Sequence, residues 1–143
     1  MKINKSILLV LVCMAIAFCS CKSAQNHAAF YSLEGTHWTL TAINGESLQD
    51  TQTQPYILFS TDGKISGNLG CNEFFGTYYK NNNKLDINYT GSTKKLCGSM
   101  NTEKQFIAAL KSDIKSYSIE GDVLIIKDNE KEVIRCIAQP NQE

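Results

Sequence analysis

Cysteine and histidine are the residues whose types could support covalent or metal chemistry in this chain. The sequence has six cysteines and two histidines, and Cys71 lies in the glycine-rich stretch GNLGCNEFFGTY. A nucleophilic cysteine needs a neighbouring base, and His27 and His37 are the two candidates. The sequence also contains the ligand types that zinc prefers, but it lacks the paired spacing of zinc motifs. The candidate ligands are Cys71, Cys97, Cys136 and His37. We therefore predict no catalytic residue, no metal and no cofactor, and keep a thiol-dependent enzyme as the least favoured alternative.

The first twenty residues have the pattern of a secretory signal. Two lysines precede an apolar run over residues 7–18, which is shorter than the ~20 residues that a membrane-spanning helix needs. The run ends in FCSC, which resembles a bacterial lipobox. We therefore predict a lipoprotein signal peptide over residues 1–20 and a lipid on Cys21, with simple secretion after nearby cleavage as the alternative.

The charge of the mature chain and the residue after Cys21 bear on location. Removing residues 1–20 takes Lys2 and Lys5 from 14 basic residues and no acid, which leaves 12 basic and 14 acidic residues, a formal charge of −2. This balance gives no reason to expect a nucleic acid partner. Lys22 stands where an Asp would retain a lipoprotein at the inner membrane. We predict an outer-membrane anchor facing the periplasm, with surface exposure left open, and a lipidated N-terminus and tether over residues 21–33.

From residue 34 onward the sequence has the pattern of short strands joined by turns. Alternating apolar and polar positions, separated by Gly-, Asn- and Asp-rich turns, predict seven or eight strands. The clearest hairpins turn at TDGK, residues 61–64, and at the asparagines of residues 81–83. In HWTLTAI, strict alternation predicts one face with Trp38, Leu40 and Ala42, and another with Thr39, Thr41 and Ile43.

After Gly91 the apolar period lengthens to three and four residues, which is typical of a helix. We predict an amphipathic helix within residues 101–117, with Thr102 and Gln105 as a capping box and Glu103 placed favourably at the positive end of the helix dipole. Its apolar face would hold Phe106, Ile107, Leu110, Ile114 and Tyr117. Because many hairpin-connected strands must cover their edges, the predicted fold is mainly β (α+β): a small, strongly curved antiparallel β-barrel with one helix.

The glycine-rich stretch resembles the signature of the META domain, the HslJ-like lipoprotein family. A second, weaker match is T-x-x-x-C before the helix, where Lys94, Lys95 and Leu96 depart from the usual Met and small or apolar residues. The resemblance covers roughly residues 34–138, and residues 139–143 would form a tail. The matching positions are Gly67, Gly70, Cys71, Asn72, Phe74, Gly76, Tyr78, Thr93 and Cys97.

The resemblance implies a lipocalin-like antiparallel β-barrel, a disulfide between Cys71 and Cys97, and no established enzymatic activity. It also implies an envelope lipoprotein linked to stress or antibiotic tolerance. The lipid on Cys21 would make the membrane a partner, and a closed β-structure of this size could hold a small apolar ligand or present a face to an envelope protein. A lipocalin-like carrier or inhibitor is the alternative function. The aromatic residues that could line a binding surface, or belong to the core, are Phe74, Phe75, Tyr78, Tyr79 and Tyr89.

Cys136 is left without a partner in this pairing scheme. It shares a predicted strand face with Ile134 and Ala138. We interpret it as a small buried apolar residue, with intermolecular pairing or a redox thiol as the alternative.

Overall fold

The computed structural model describes residues 30–48, 51–98, 100–111 and 115–139. The predicted signal peptide, the lipid site at Cys21, His27, most of the tether and most of the tail lie outside these residues. The described part contains nine strands and one helix, α1. Their bounds are β1 His37–Ile43, β2 Glu46–Ser47, β3 Tyr56–Phe59, β4 Lys64–Asn68, β5 Glu73–Asn81, β6 Lys84–Ser92, α1 Asn101–Lys111, β7 Lys115–Glu120, β8 Val123–Asp128 and β9 Lys131–Ala138.

The strands form one antiparallel sheet that returns on itself. Neighbouring strands pair in the order β2-β1-β3-β4-β5-β6-β7-β8-β9, and β1 also pairs with β9, so the hydrogen bonds form a ring. Pairing of β6 with β7 is limited to Lys84 with Ser116 and Leu85 with Lys115, while α1 packs against β6. The prediction of a mainly β, strongly curved antiparallel sheet with one helix is confirmed. The two-residue β2 raises the strand count above the seven or eight expected.

The turn chemistry placed the hairpins correctly. Gly63 has a φ of 79°, as the Asp-Gly turn between β3 and β4 requires, and Asn82 has a φ of 53° between β5 and β6. The buried alternation of Leu85 and Ile87 along β6 also follows the prediction. Short polar turns therefore fixed the local pairings without long-range information.

Strict alternation fails in β1. The pairing with β9 shifts between Leu40 and Ala42, leaving Thr41 as a β-bulge. A bulge adds one residue to one strand and so exchanges the faces beyond it. Ile43 consequently joins the core cluster together with Trp38 and Leu40, and the predicted assignment of Ile43 to the opposite face is wrong.

The predicted helix is too long at its C-terminal end. It ends at Lys111, and Tyr117 belongs to β7, where it pairs with Ile126; Ile114 lies outside the described residues. Phe106 and Leu110 are fully buried in the core as predicted. Tyr117 continued the helical spacing in the sequence by chance, so periodicity alone could not locate the boundary.

A short N-terminal segment, Tyr31–Gly35, lies against one end of the sheet and is called the strap below. Leu33 is buried in the core, and its carbonyl accepts a hydrogen bond from the Trp38 indole at 3.0 Å. The Gly35 amide donates to the Phe59 carbonyl at 2.9 Å. The core thus includes residues from the strap as well as from the strands and the helix.

Within the described part of the chain, no helix combines the length and apolarity needed to cross a membrane.

Candidate functional site

The glycine-rich motif forms the end of β4, a tight bend and the start of β5. Gly67 pairs with Phe74 across the two strands, and a Cβ at Gly67 would overlap the Tyr56 carbonyl oxygen. Gly70 has a φ of 102°, which L side chains rarely adopt. Gly76 is similarly closed to a side chain, since a Cβ there would overlap the Asn88 carbonyl oxygen. These glycines let the backbone pack closely and turn sharply.

Cys71 and Cys97 form a disulfide across this bend. Their Cα atoms are 6.2 Å apart, and 26 positions separate them in the sequence. This is the pairing that the family resemblance implied. The bond ties the bend to an exposed segment, Thr93–Gly98, which we call the stapled loop. Because both sulfur atoms are in the disulfide, Cys71 has no thiol to act as a nucleophile.

Asn72 is the centre of a hydrogen-bond network between the bend and the stapled loop. Its side chain is 1% exposed. The amide oxygen accepts from the Thr93 hydroxyl and from the Lys95 amide, both at 2.7 Å. The amide nitrogen donates to the Lys95 carbonyl at 3.1 Å. Asn72 therefore fixes the stapled loop from within, by hydrogen bonds that a different side chain could not reproduce.

Glu103 of α1 completes the network from the helix. The Asn72 amide nitrogen lies 3.1 and 3.0 Å from its two carboxylate oxygens, and the Asn72 backbone amide donates to it at 3.2 Å. Glu103 is only 6% exposed. Its place in the first turn of α1 also favours negative charge. The carboxylate joins the helix to the bend, a role that the sequence interpretation missed.

The sequence contained no signal that could separate Glu103 from an ordinary acidic residue at a helix start. Asn72 and Glu103 are 31 residues apart in the sequence, and they meet only because of how β5, β6 and α1 pack. A buried carboxylate needs such partners, because an unpaired one costs several kcal/mol. The structure therefore adds Glu103 and Lys95 to a network of which the sequence had identified Asn72 and Thr93.

The aromatic residues of β5 separate into two groups. Phe74 is buried and packs edge-to-face on Phe106 of α1, with ring centroids 6.0 Å apart. Tyr78 is also buried and packs on Phe59 at 5.0 Å. Phe75 and Tyr79 are 55% and 69% exposed. Phe74 and Tyr78 are thus core residues, whereas Phe75 and Tyr79 are available on the outer surface.

Tyr78 also links the strap to the sheet. Its hydroxyl lies 2.8 Å from the Ser60 carbonyl oxygen and 3.1 Å from the Glu34 carboxylate. Burial, reinforced by the hydrogen bond and the negative charge of Glu34, raises the pKa of Tyr78 to about 12. Lys80 donates to the other Glu34 oxygen at 2.6 Å, and this bond holds the pKa of the Glu34 carboxyl below its ordinary value of 4.5.

The remaining candidates for chemistry do not meet in one place. Cys136 is a free thiol that is fully buried, and burial raises its pKa far above the usual range, as expected for a cysteine that serves as a small core residue. His37 stacks on Tyr56, with ring centroids 4.2 Å apart. No group of three or more His, Cys, Asp or Glu side chains suited to a metal occurs among the described residues.

A small polar cleft lies between β2 and the start of α1. Its volume is about 60 Å³, much less than the roughly 300–1,000 Å³ of typical small-molecule sites. The residues that line it are Glu46, Ser47, Leu48, Asn101, Thr102 and Gln105. A cleft of this size can hold water but not an ordinary organic ligand.

These features define a small antiparallel β-domain in which a disulfide joins the bend to the stapled loop, and a buried polar network joins the bend to both the stapled loop and the helix. The META domain family model matches residues 31–141, which is most of the chain and includes the strap. The chain therefore belongs to the META domain family, as its motifs indicated.

Solved structures share the fold at low sequence identity. An NMR structure of a protein from Burkholderia xenovorans has a TM-score of 0.59 and 18% identity over 76% of this chain and 85% of that one. A second NMR structure has a TM-score of 0.57 and 16% identity, covering 76% and 96%. A DUF4847 family protein from Bacteroides vulgatus ATCC 8482 has a TM-score of 0.54 and 19% identity, covering 75% and 94%. A search of curated proteins finds no match.

Proposed function

We propose that this META-domain protein is a non-enzymatic lipoprotein, anchored through Cys21 to the outer membrane and facing the periplasm. It acts in envelope maintenance or in stress and antibiotic tolerance, through contacts with a protein or a small molecule. The proposal combines the family membership with the lipobox resemblance at residues 18–21 and with Lys22 at the sorting position.

The state of the motif residues is the observation that carries the non-enzymatic part of the proposal. The Cys71 sulfur is in a disulfide, and the polar atoms of the Asn72 side chain are bonded to Thr93, Lys95 and Glu103. A catalytic group must reach substrate with a free lone pair or proton. These groups instead bond to one another, so the motif acts as a scaffold and the contacts fall to the exposed surface.

The disulfide also supports a location outside the cytoplasm. Structural disulfides persist in oxidising compartments such as the periplasm, and reducing thiols remove them in the cytosol. A bond between Cys71 and Cys97 that is part of the fold therefore agrees with export by the predicted signal peptide.

Cell fractionation of a Cys21→Ala variant tests the anchor. The wild-type protein should sediment with the outer membrane and carry the mass of a lipidated N-terminus. Cys21→Ala should appear in the soluble periplasmic fraction, because each lipid methylene contributes about 0.8 kcal/mol to membrane attachment and none would remain. Cys19→Ala is the matched control and should stay in the membrane. Persistence of Cys21→Ala in the membrane pellet would contradict the assignment.

The envelope role is tested separately in a strain that lacks the gene. Survival under heat and under antibiotics should fall, and the wild-type gene should restore it. Cys21→Ala should restore less, because the unanchored protein is diluted away from the membrane. Equal survival of the deletion strain and its parent under all these stresses would contradict the proposed role.

A further inference from the structure

The strap and the stapled loop lie at opposite ends of β5. At one end, Glu34 of the strap contacts Tyr78 and Lys80. At the other end, where the stapled loop begins, the Thr93 amide donates to the Glu73 carbonyl and the Glu73 amide donates to the Thr93 hydroxyl. Seven residue steps separate Glu73 from Lys80, which corresponds to roughly 23 Å along a strand. The domain therefore has a strap end and a stapled end.

The chain between the predicted lipid and the strap is short. Nine residue steps connect Cys21 to Phe30, so their Cα atoms can be at most about 32 Å apart even when this segment is fully extended. The chain enters the fold through the strap, whose Leu33 and Gly35 are held by Trp38 and Phe59. A lipid at Cys21 would thus keep Phe30, which directly precedes the strap, within about 32 Å of the bilayer.

The strap end also exposes aromatic side chains. Phe30 is fully exposed, and Tyr79, which is 69% exposed, lies between the two residues that contact Glu34. Aromatic rings are favourable at the boundary between lipid and water, and a tyrosine can keep its hydroxyl in the polar layer. Phe30 directly precedes the strap, and Tyr79 lies on β5 between the residues that contact Glu34, so the strap end offers two side chains suited to a bilayer surface.

We propose that the strap end docks on the lipid bilayer, with Phe30 and Tyr79 in its interfacial layer, so that the stapled loop faces away from the membrane. The inference rests on the proposed anchor at Cys21 and adds to it an orientation and a lipid-binding surface. The motif end, held rigid by Asn72 and the disulfide, is then the surface available to periplasmic partners.

The stapled loop is the competing surface for lipid. Its Leu96 is 98% exposed and follows Lys94 and Lys95, a combination of apolar and basic residues that anionic lipid also attracts. Contact through this loop would place the strap end roughly 23 Å farther from the bilayer, so the connection would have to stretch over most of its maximum length of about 32 Å. The two orientations place opposite ends of β5 in the membrane interface.

Fluorescence quenching by lipid distinguishes the two orientations. The full-length lipidated protein is reconstituted in vesicles of phosphatidylethanolamine and phosphatidylglycerol that contain a nitroxide-labelled lipid. Tyr79→Cys and Leu96→Cys variants are each labelled with a small fluorophore. The wild-type protein is the labelling control, because Cys136 is buried and Cys71 is bonded to Cys97. Quenching should be several-fold stronger at position 79 than at position 96.

A second pair of positions guards against local misfolding. Lys84 is at the strap end beside the turn of β5 and β6, and Lys94 is in the stapled loop; both are exposed. Lys84→Cys should be quenched more than Lys94→Cys. Equal quenching at both ends, or stronger quenching at positions 94 and 96, would overturn the docking while leaving the lipid anchor intact. Purified protein without the mass of the lipid would overturn the anchor and the docking together.

Discussion

The two ends of β5 are held to their neighbours by different kinds of interaction. At the stapled end, a disulfide and a buried network join Cys71 and Asn72 to the stapled loop and to Glu103. At the strap end, Glu34 and Lys80 form an ion pair whose side chains are 22% and 38% exposed. Breaking a covalent bond or a buried polar contact costs several kcal/mol of stability. Exposed ion pairs contribute little to stability, because water and salt screen them.

This difference indicates which end contributes more to the stability of the fold and which end can open at small cost. The stapled end should govern global stability, since its loss leaves buried polar atoms without partners. The strap end keeps apolar contacts through Leu33, but its charged contacts can break at small cost. Three measurements can test this comparison, beginning with the largest expected effect.

Replacing Asn72 by Ala should have the largest effect. The variant removes the side-chain partner of the Lys95 amide and of the Glu103 carboxylate, which keeps the backbone amide of residue 72. Leaving a buried polar group without its partner costs about 1–3 kcal/mol, and more when the group is charged. Denaturant unfolding should show this loss. The matched control is Asn88→Ala on the exposed face of β6, which should change stability by less than about 0.5 kcal/mol. Similar unfolding free energies for the two variants would show that the Asn72 network does not govern the stability of the fold.

Breaking the disulfide should have the next largest effect. Cys71→Ser and Cys97→Ser should each lower the free energy of unfolding by about 3 kcal/mol, because the unfolded chain regains the freedom of a loop of this length. The double variant should be about as stable as either single variant, since each single substitution already removes the same bond. Additive losses would indicate that the two side chains act separately. Unfolding the wild-type protein with and without reductant is the control, because reduction breaks the same bond without changing any side chain and leaves the free thiol of Cys136 as it was.

The smallest effect should come from Glu34, and it should depend on pH. The Lys80 hydrogen bond lowers the pKa of the folded carboxyl below its ordinary value of 4.5. A lowered pKa stabilises the fold above pH 4.5, and that contribution disappears as the pH falls through the folded pKa. Glu34→Gln should therefore lower the free energy of unfolding by less than about 1 kcal/mol at pH 7. It should have no effect at a pH below the folded pKa of Glu34.

Glu46→Gln is the control for that pH dependence, because Glu46 is exposed in β2. Subtracting the change in unfolding free energy that Glu46→Gln causes at each pH removes the general effect of losing one carboxylate. A Glu34→Gln difference that is constant between pH 7 and the acid range would contradict an ionic role for the Glu34–Lys80 pair.

Much of the local structure followed from residue type. The turns at Asp62-Gly63 and Asn82 require positive φ or tolerate it, so their hairpins were readable without tertiary information. The buried alternation of Leu85 and Ile87 was equally direct. Errors arose where the local pattern was ambiguous: the bulge at Thr41 reversed the faces of β1, and Tyr117 continued the helical period although it belongs to β7.

The sequence by itself determined the hairpins, the core side chains of β6 and α1, and the family motif with its two cysteines, because turn propensity and apolar spacing act within short segments. Only the tertiary structure decided that β1 would meet β9 to close the ring and that Glu103 would be the partner of Asn72. It also decided that the strap would reach Lys80. Each of these contacts joins residues far apart in sequence, and their positions depend on how the whole sheet curves and where the helix packs against it.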